Sequence, residues 1–335
     1  QCCLVGSEMC IRDRIMAVYT HISREELDLF TEHYSIENVL EFSGIKGGTS
    51  NSNYLLKTLE KNYILTIFEE RTNQDNLKFF FDLMNHLNKN NVKCPEVIQD
   101  KKGNYSNSIQ NKKAVITSFL KGRSIDQIKP IHCASLGSTI ARMHKESARL
   151  EMTRENELGF VNLNSLIQTL KNFDDNIDAQ VIDLINEEYT FLSGNLGHNL
   201  PSGIIHADLF PDNIFFEGNE VTGIIDFYFA CTDYYAYEIA ICLNAWCFEP
   251  NNNEFNPTKA KHLLGSYNQL REFSEEEKKA LPLLTRASSL RYLLTRLIDY
   301  YSHDDNELIL KKDPNEYLTK LQFHQSVKKV GEYGL

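Results

Sequence analysis

The stretch GIIHADLFPDNIFF, residues 203–216, sets His206, Asp208 and Asn213 on one connecting loop between two apolar runs, and Asp226 follows thirteen positions after Asn213 in IIDF. Taken singly, each is a residue type that caps helices and closes turns. Their spacing asks for more. If residues 214–216 and 223–225 pair as neighbouring antiparallel strands, the loop before the first and the residue after the second lie at one end of the hairpin, and Asp208, Asn213 and Asp226 converge. Transfer of a phosphoryl group to a hydroxyl needs that set. One carboxylate accepts or orients the proton of the attacking hydroxyl, while an amide oxygen and a second carboxylate hold Mg2+ against nucleotide phosphates. We therefore expect Asp208 as the base and Asn213 with Asp226 as Mg2+ ligands. His206 adjoins the base and is a candidate for proton transfer, with hydrogen bonds that hold the loop as its expected job.

A second chemical feature lies far upstream. GIKGGTSNSN places Gly44, Gly47 and Gly48 between two β-rich segments, where backbone N–H groups can approach phosphate oxygens because glycine tolerates tight approach and positive φ. No GK[ST] follows and no helix opens at that spacing, so the turn is neither a P-loop nor a dinucleotide fingerprint. Alone it would be a glycine hairpin; upstream of the acidic set it reads as a hairpin that covers phosphates.

The elements that must position these residues are legible in outline. Ser23 and Glu26 form a capping box before an amphipathic run, so a helix opens the domain. VLEFSGIKGGTSNSNYLLKT reads as strand, glycine turn and strand, NYILTIFEE as a third strand, and AVITSFL, residues 114–120, as one more, closed by Gly122. Between them Phe80, Leu83, Met84 and Leu87 recur at helical spacing. Beyond 123 the character changes: Cys133, Leu136, Ile140 and Met143 trace a helix face, further helical stretches occupy about 163–193, and only 203–229 returns to strand-like runs before a helical remainder. The expected fold class is α+β and bilobal, with a small β-rich N-lobe over 16–120 and a larger, mostly helical C-lobe over 121–335. No internal repeat or low-complexity tract interrupts it.

Composition narrows the partners. The chain has 335 residues, 42% of them hydrophobic, enough for two lobes with real cores. Its net charge of -11 argues against a nucleic-acid surface, which needs a basic patch. No run of about 18 apolar residues exists, so no membrane span is expected, and the mean hydropathy of -0.38 agrees. Cys94, Cys133, Cys231, Cys242 and Cys247 form no CxxC and sit in apolar contexts, as reduced, buried thiols of a cytoplasmic protein do. The opening QCCLVGSEMCIRDR resembles the conceptual translation of a sequencing-library adapter; residues 1–15 are read as a non-native extension before a natural start at Met16. The oligomeric state is left open.

The loop motif H-x-D-x-x-x-x-N, met by His206, Asp208 and Asn213, together with Asp226, resembles the aminoglycoside-phosphotransferase and choline-kinase superfamily, whose fold is similar to that of protein kinases. Within it the chain is similar to the second type of bacterial homoserine kinase, through GIIDFYFACTDYYAYEIAICLNAWCFE, ALPLLTRASSLRYLLTRL and KKDPNEYLTKLQFH. The resemblance implies ATP and Mg2+, and phosphorylation of the side-chain hydroxyl of L-homoserine in threonine biosynthesis. It also implies that backbone groups at Gly44, Gly47, Gly48, Thr49, Ser118 and Leu120 hold the nucleotide. One departure stands out: Thr66 occupies the position of the strand Lys that grips phosphates in protein kinases. Lys46 and Arg71 are the candidate replacements. Phe227 is followed by Tyr228 rather than Gly, and no APE follows, which disfavours a protein substrate. Asp233 and Glu238 are expected to be structural.

A homoserine site needs a bidentate cation and an acid. Arg286, Arg291 and Arg296 on one late helix are the candidates, with ion pairing at the lobe surface as the plainer alternative. Tyr228, Asn244 and Trp246 are further candidates for the acceptor pocket. The competing functions are a kinase of choline, an aminoglycoside or a sugar, and a catalytically inactive nucleotide-binding module.

Overall fold

The structure is a computed structural model that describes residues 20–45, 51–69, 76–197, 199–302 and 312–335, the side chain of Asp174 excepted. The described residues divide into two compact units, one of 20–45, 51–69 and 97–119, the other of 76–96, 120–197, 199–302 and 312–335.

The smaller unit opens with α1 (Arg24–Thr31). Its N-terminus is closed as the capping box demands: the Ser23 hydroxyl accepts the Glu26 N–H at 3.2 Å and the Glu26 carboxylate accepts the Ser23 N–H at 2.7 Å. Six strands follow, β1 (Glu41–Gly44), β2 (Asn51–Lys57), β3 (Asn62–Phe68), β4 (Val97–Ile98), β5 (Asn107–Ile109) and β6 (Lys112–Ser118). They form an antiparallel sheet in the order β1-β2-β3-β6-β4, with β5 also on β6. Alternate residues of β2, β3 and β6, namely Tyr54, Leu56, Leu65, Ile67, Ala114 and Ile116, meet Leu27 and Phe30 of α1 in one core. Fully burying each of the two helix side chains contributes about 1.5–3 kcal/mol. Thr66 points to the opposite sheet face, where its hydroxyl donates to Asn53 Oδ1 at 2.7 Å across the β2–β3 pair. Gly44 ends β1 opposite Tyr54. Lys46, Gly47, Gly48, Thr49 and Arg71 lie outside the described residues.

The larger unit contains α2 (Leu77–Lys89), α3 (Pro130–Ser147), α4 (Leu163–Leu170), α5 (Ala179–Asn195), α6 (Tyr235–Trp246), α7 (Pro257–Leu270), α8 (Glu275–Ser302) and α9 (Asn315–Ser326). Helix α6 is buried almost all round, which explains why its sequence shows no polar face. Helices α3 and α7 touch at Gly137, where an added Cβ would lie 2.2 Å from the Leu263 carbonyl oxygen, so the crossing requires glycine. Two short antiparallel pairs complete the unit: β7 (Ser202–Ile205) with β10 (Cys231–Tyr234), and β8 (Ile214–Glu217) with β9 (Glu220–Ile224). The β8–β9 pairing is the expected hairpin, turning at Gly218 with φ +60. Strand β7 ends and β8 begins at the same end as β9 ends and β10 begins. Loops 206–213 and 225–230 are therefore brought side by side.

No helix among the described residues is long and apolar enough to cross a membrane. The cysteines expected to be buried thiols, Cys94, Cys133, Cys231, Cys242 and Cys247, are free and buried.

Candidate active site

The two loops are laced together by hydrogen bonds. The Ile225 N–H donates to the Asn213 carbonyl at 3.0 Å, and His206 Nε2 bonds the Ile225 carbonyl at 3.0 Å. Asn213 Nδ2 donates twice to Asp208, to the carbonyl at 2.8 Å and to Oδ2 at 3.0 Å. That assignment spends the amide N–H groups on Asp208 and leaves Asn213 Oδ1 as a free-standing acceptor. The Asp208 N–H donates to His206 Nδ1 at 3.3 Å, which assigns the neutral imidazole with its proton on Nε2. Burial holds the His206 pKa below the ordinary imidazole value, against the pull of Glu238. His206 is fully buried and both ring nitrogens are occupied. It holds the loop.

The backbone between His206 and Asp208 is fixed from outside the loop. Ala207 has φ 63, the left-handed region, which for a residue with a Cβ costs about 1–2 kcal/mol. The buried Glu238 carboxylate of α6 accepts the His206 N–H at 2.5 Å and the Ala207 N–H at 2.9 Å. On the other side the Ala207 carbonyl accepts from Arg291 Nη1 at 3.1 Å, with the Tyr292 hydroxyl at 3.4 Å. Further along, Trp246 Nε1 donates to the Leu209 carbonyl at 2.7 Å. Asp226 is itself left-handed, with φ 63 and ψ 62, as the N-cap of the turn Phe227–Phe229.

Electrostatics set these carboxyls apart from ordinary ones. Burial raises Asp208 to about 6, opposed by the nearby Arg291 guanidinium, raised further by Asp212, and lowered by Lys312 and the Asn213 amide. Protein packed around Asp226 pushes it up to about 7, and the like charge of Asp208 pushes the same way. The Asp226 side chain opens to solvent, which limits its desolvation and partly screens the repulsion from Asp208, so both causes keep their upward direction at reduced strength. A carboxyl raised by burial, set close enough to raise the pKa of a second carboxyl, makes a site that gains from a cation. Asp226 and Asn213 Oδ1 are hard oxygen donors of the kind Mg2+ prefers, in a number that leaves room for phosphate oxygens. Among the described residues no group of three or more His, Cys, Asp or Glu could hold a metal alone. The donor set therefore fits an ion shared with a ligand.

A family model described as the phosphotransferase enzyme family matches residues 41–273. The chain belongs to the phosphotransferase enzyme family. It is 43% identical over 320 residues to a homoserine kinase of Mesorhizobium japonicum, covering 96% of this chain and 100% of that one. A homoserine kinase of Xanthobacter autotrophicus is 43% identical, with 96% and 99% covered. Among solved structures, amicoumacin kinase in complex with AMP-PNP, Ca2+ and Ami is similar at TM-score 0.68 and 13% identity, over 92% of this chain and 95% of that one. Choline kinase from Cryptosporidium parvum Iowa II is similar at TM-score 0.64 and 14% identity, over 89% and 93%. These two speak for the fold, and the β-sheet unit with a mostly helical one is the fold they share.

In this phosphotransferase several residues expected at the acceptor site take other positions. Asn244 is fully buried: Nδ2 donates to the Ala240 and Thr285 carbonyls at 3.2 and 3.1 Å, and Oδ1 meets Ser289 and His324 at 2.9 and 3.1 Å. Trp246 is equally buried, with its one donor on Leu209. Neither has a polar atom left for a substrate. Arg296 pairs with Glu316 at 2.6 Å and also bonds the Asp313 carbonyl at 3.0 Å. Arg286 forms a bidentate pair with Glu188, both bonds 2.6 Å. For these two the plainer alternative, ion pairing, describes what the side chains touch. Arg291 is 3% exposed and lies beneath the loop. Tyr228 sits half-buried with its ring edge-on to Phe80 at 5.6 Å, and its N–H lowers the Asp226 pKa. Asp233 accepts Asn156 Nδ2 at 2.6 Å and the Tyr234 N–H at 2.7 Å, in keeping with a structural part. Ser118 closes β6 opposite Tyr63, and Leu120 packs where a Cβ on Gly223 would come within 2.7 Å.

Tyr292 was not among the residues expected at the site, and Glu238, expected to be structural, grips the N–H groups of residues 206 and 207. The signal was available for Glu238, a lone acid in the otherwise apolar YAYEIAICLNAW. A buried acid of that kind must find N–H donors.

Proposed function

We propose that this phosphotransferase catalyses ATP-dependent phosphorylation of the side-chain hydroxyl of L-homoserine to O-phospho-L-homoserine, as a cytoplasmic step of threonine biosynthesis. The reading rests above all on one observation, the Asp208 carboxyl held by Asn213 at 3.0 Å beside Asp226, in a chain 43% identical to relatives named homoserine kinase.

Asp208 is the base. Its raised pKa makes it a better proton acceptor than an ordinary aspartate while leaving it mostly ionised at neutral pH. As the homoserine oxygen bonds to the γ-phosphorus and the bond to the β-phosphate oxygen breaks, the hydroxyl proton passes to Asp208. Asn213 fixes the carboxyl rotamer through Nδ2, and Asn213 Oδ1 with Asp226 would hold Mg2+. That ion, when bound, neutralises charge on the phosphates. Backbone groups at Gly44, Gly47, Gly48 and Thr49, and at Ser118 and Leu120, are assigned to the nucleotide by the same reading.

The test is homoserine-dependent release of ADP from ATP in the presence of Mg2+, run beside choline, an aminoglycoside and a sugar. A response to homoserine alone, lost in Asp208→Asn, carries the proposal. A response to another acceptor and none to homoserine overturns it. Growth of a threonine-requiring bacterium that lacks homoserine kinase tests the pathway.

A further inference from the structure

Arg291 is a buried guanidinium that touches no carboxylate among the described residues. It lies on α8, 3% exposed, and no ion pair to it occurs among the described residues within 4.0 Å. Its Nη1 donates to the Ala207 carbonyl at 3.1 Å and to the Tyr292 hydroxyl at 2.9 Å, its Cζ lies 4.4 Å from the Tyr292 ring centre, and Nε makes no hydrogen bond although the buried Tyr237 hydroxyl is a neighbour. A charge removed from water without a contacting counter-ion is unfavourable, so the position asks for an explanation.

The contact falls on one particular peptide group. The carbonyl that Arg291 holds belongs to the peptide between Ala207 and Asp208, and the N–H of that same peptide donates to His206 Nδ1 at 3.3 Å. The two N–H groups immediately before it are held by the Glu238 carboxylate at 2.5 and 2.9 Å. A buried anion thus takes the N–H side of the loop and a buried cation takes the C=O side. The left-handed turn at Ala207, φ 63, lies between them. Rotation of the 207–208 peptide would strand the guanidinium and swing Asp208 away from Asn213.

We propose that Arg291 is a positioning residue for phosphoryl transfer: with Tyr292 it locks the Ala207–Asp208 peptide in the orientation that aims the Asp208 carboxyl. This rests on Asp208 being the base. It gives Arg291 a role other than holding the substrate carboxylate, and the two roles separate in kinetics, because a mis-aimed base lowers kcat while a lost substrate contact raises KM.

The experiment first measures homoserine-dependent ADP release by the unmutated chain; its absence fails the proposed function and leaves this inference without a reaction to position. Given activity, Arg291→Gln is compared with Arg291→Gln/Ala207→Gly and with Tyr292→Phe, each checked for a cooperative thermal transition. Arg291→Gln is expected to lower kcat by about 10²-fold, with KM for both substrates within about threefold. The double variant recovers part of that loss, several-fold, because glycine adopts the left-handed turn without outside help. Tyr292→Phe, which keeps the ring and removes one hydroxyl, lowers kcat in the same sense by a smaller factor. A raised homoserine KM with unchanged kcat in Arg291→Gln overturns the proposal in favour of substrate binding. So does unchanged kcat in Tyr292→Phe if Arg291→Gln does not fold, and so does a double variant no better than the single one.

Discussion

Trp246 donates its indole N–H to the carbonyl of Leu209 at 2.7 Å, joining the last turn of α6 to the residue after the proposed base. Both groups are buried, so breaking the bond leaves an unpaired carbonyl in an apolar setting. Trp246→Phe should destabilise the fold by about 1–3 kcal/mol from the stranded acceptor and the smaller ring together. Because Leu209 adjoins Asp208, kcat should also fall with little change in KM. Denaturant unfolding and steady-state kinetics on one preparation check both, and unchanged stability would show that the bond carries nothing.

Glu238 should be more sensitive. Its carboxylate takes the N–H groups of two consecutive residues on separate oxygens, Oε2 and Oε1, and an amide has an NH2 group in place of one of them. In Glu238→Gln one backbone N–H meets an NH2 group instead of an acceptor. We expect a loss of about 2–3 kcal/mol of stability and a lower kcat, since the left-handed Ala207 loses a support. Equal melting temperatures for the variant and the parent chain would contradict the two-point grip.

Much of this arrangement could be read from residues. The hairpin that brings Asn213 toward Asp226 follows from apolar strands around the turn at Gly218, and pairing fixes which ends meet. The acceptor side was less legible, for a physical reason. Helix α6 is buried almost all round, so periodicity carries no information about where Asn244 and Trp246 point. Both turned inward. Arg291 could not be told from Arg286 and Arg296 by sequence, because all three sit on one long helix and only the backbone of a distant loop distinguishes them. The left-handed Ala207 left no mark, since alanine is not a residue that favours that region.

The paired carboxyls predict a conflict between stability and function. A carboxyl whose folded pKa lies above its unfolded value resists ionisation in the fold, so it contributes nothing at low pH and destabilises as pH rises from about 4 through its folded pKa. Asp208 at about 6 and Asp226 at about 7 both have this sign. Without Mg2+, at pH 8, Asp226→Asn should therefore melt about 1–3 °C above the parent chain, while losing activity. Added Mg2+ should raise the parent's melting temperature at pH 8 more than at pH 5, and should do little for the variant. Thermal scans with chelator and with Mg2+ decide it; a variant that melts lower at pH 8 in chelator refutes the repulsion.

Buried histidines give the opposite sign. His324 is fully buried, with Nδ1 on the Tyr333 hydroxyl at 2.6 Å and Nε2 on Asn244 Oδ1 at 3.1 Å. Since Asn244 Oδ1 can only accept, Nε2 carries the proton and Nδ1 accepts from Tyr333. Protonating Nδ1 would set two donors against each other unless Tyr333 turned toward Thr285, 2.9 Å away. Burial, with the charges of Lys320 and Arg286, lowers His324 to about 3. Its folded pKa thus lies below the unfolded one. The stability it confers is present above about pH 6.5 and is lost as pH falls toward 3, at about 1.4 kcal/mol per pH unit within that window. His144 and His206, also lowered by burial, add in the same direction, whereas Asp208 and Asp226 oppose them by taking up protons in the folded state. The net slope mixes both, so the informative quantity is a difference between two chains. Between pH 7 and 5 in chelator, denaturant unfolding of His324→Gln should show a stability that falls less steeply than the parent's, by about 1 kcal/mol per pH unit. Parallel pH profiles would mean that His324 takes a proton in the fold as easily as in the unfolded chain, and that the Asn244–His324–Tyr333 network does not require the neutral ring.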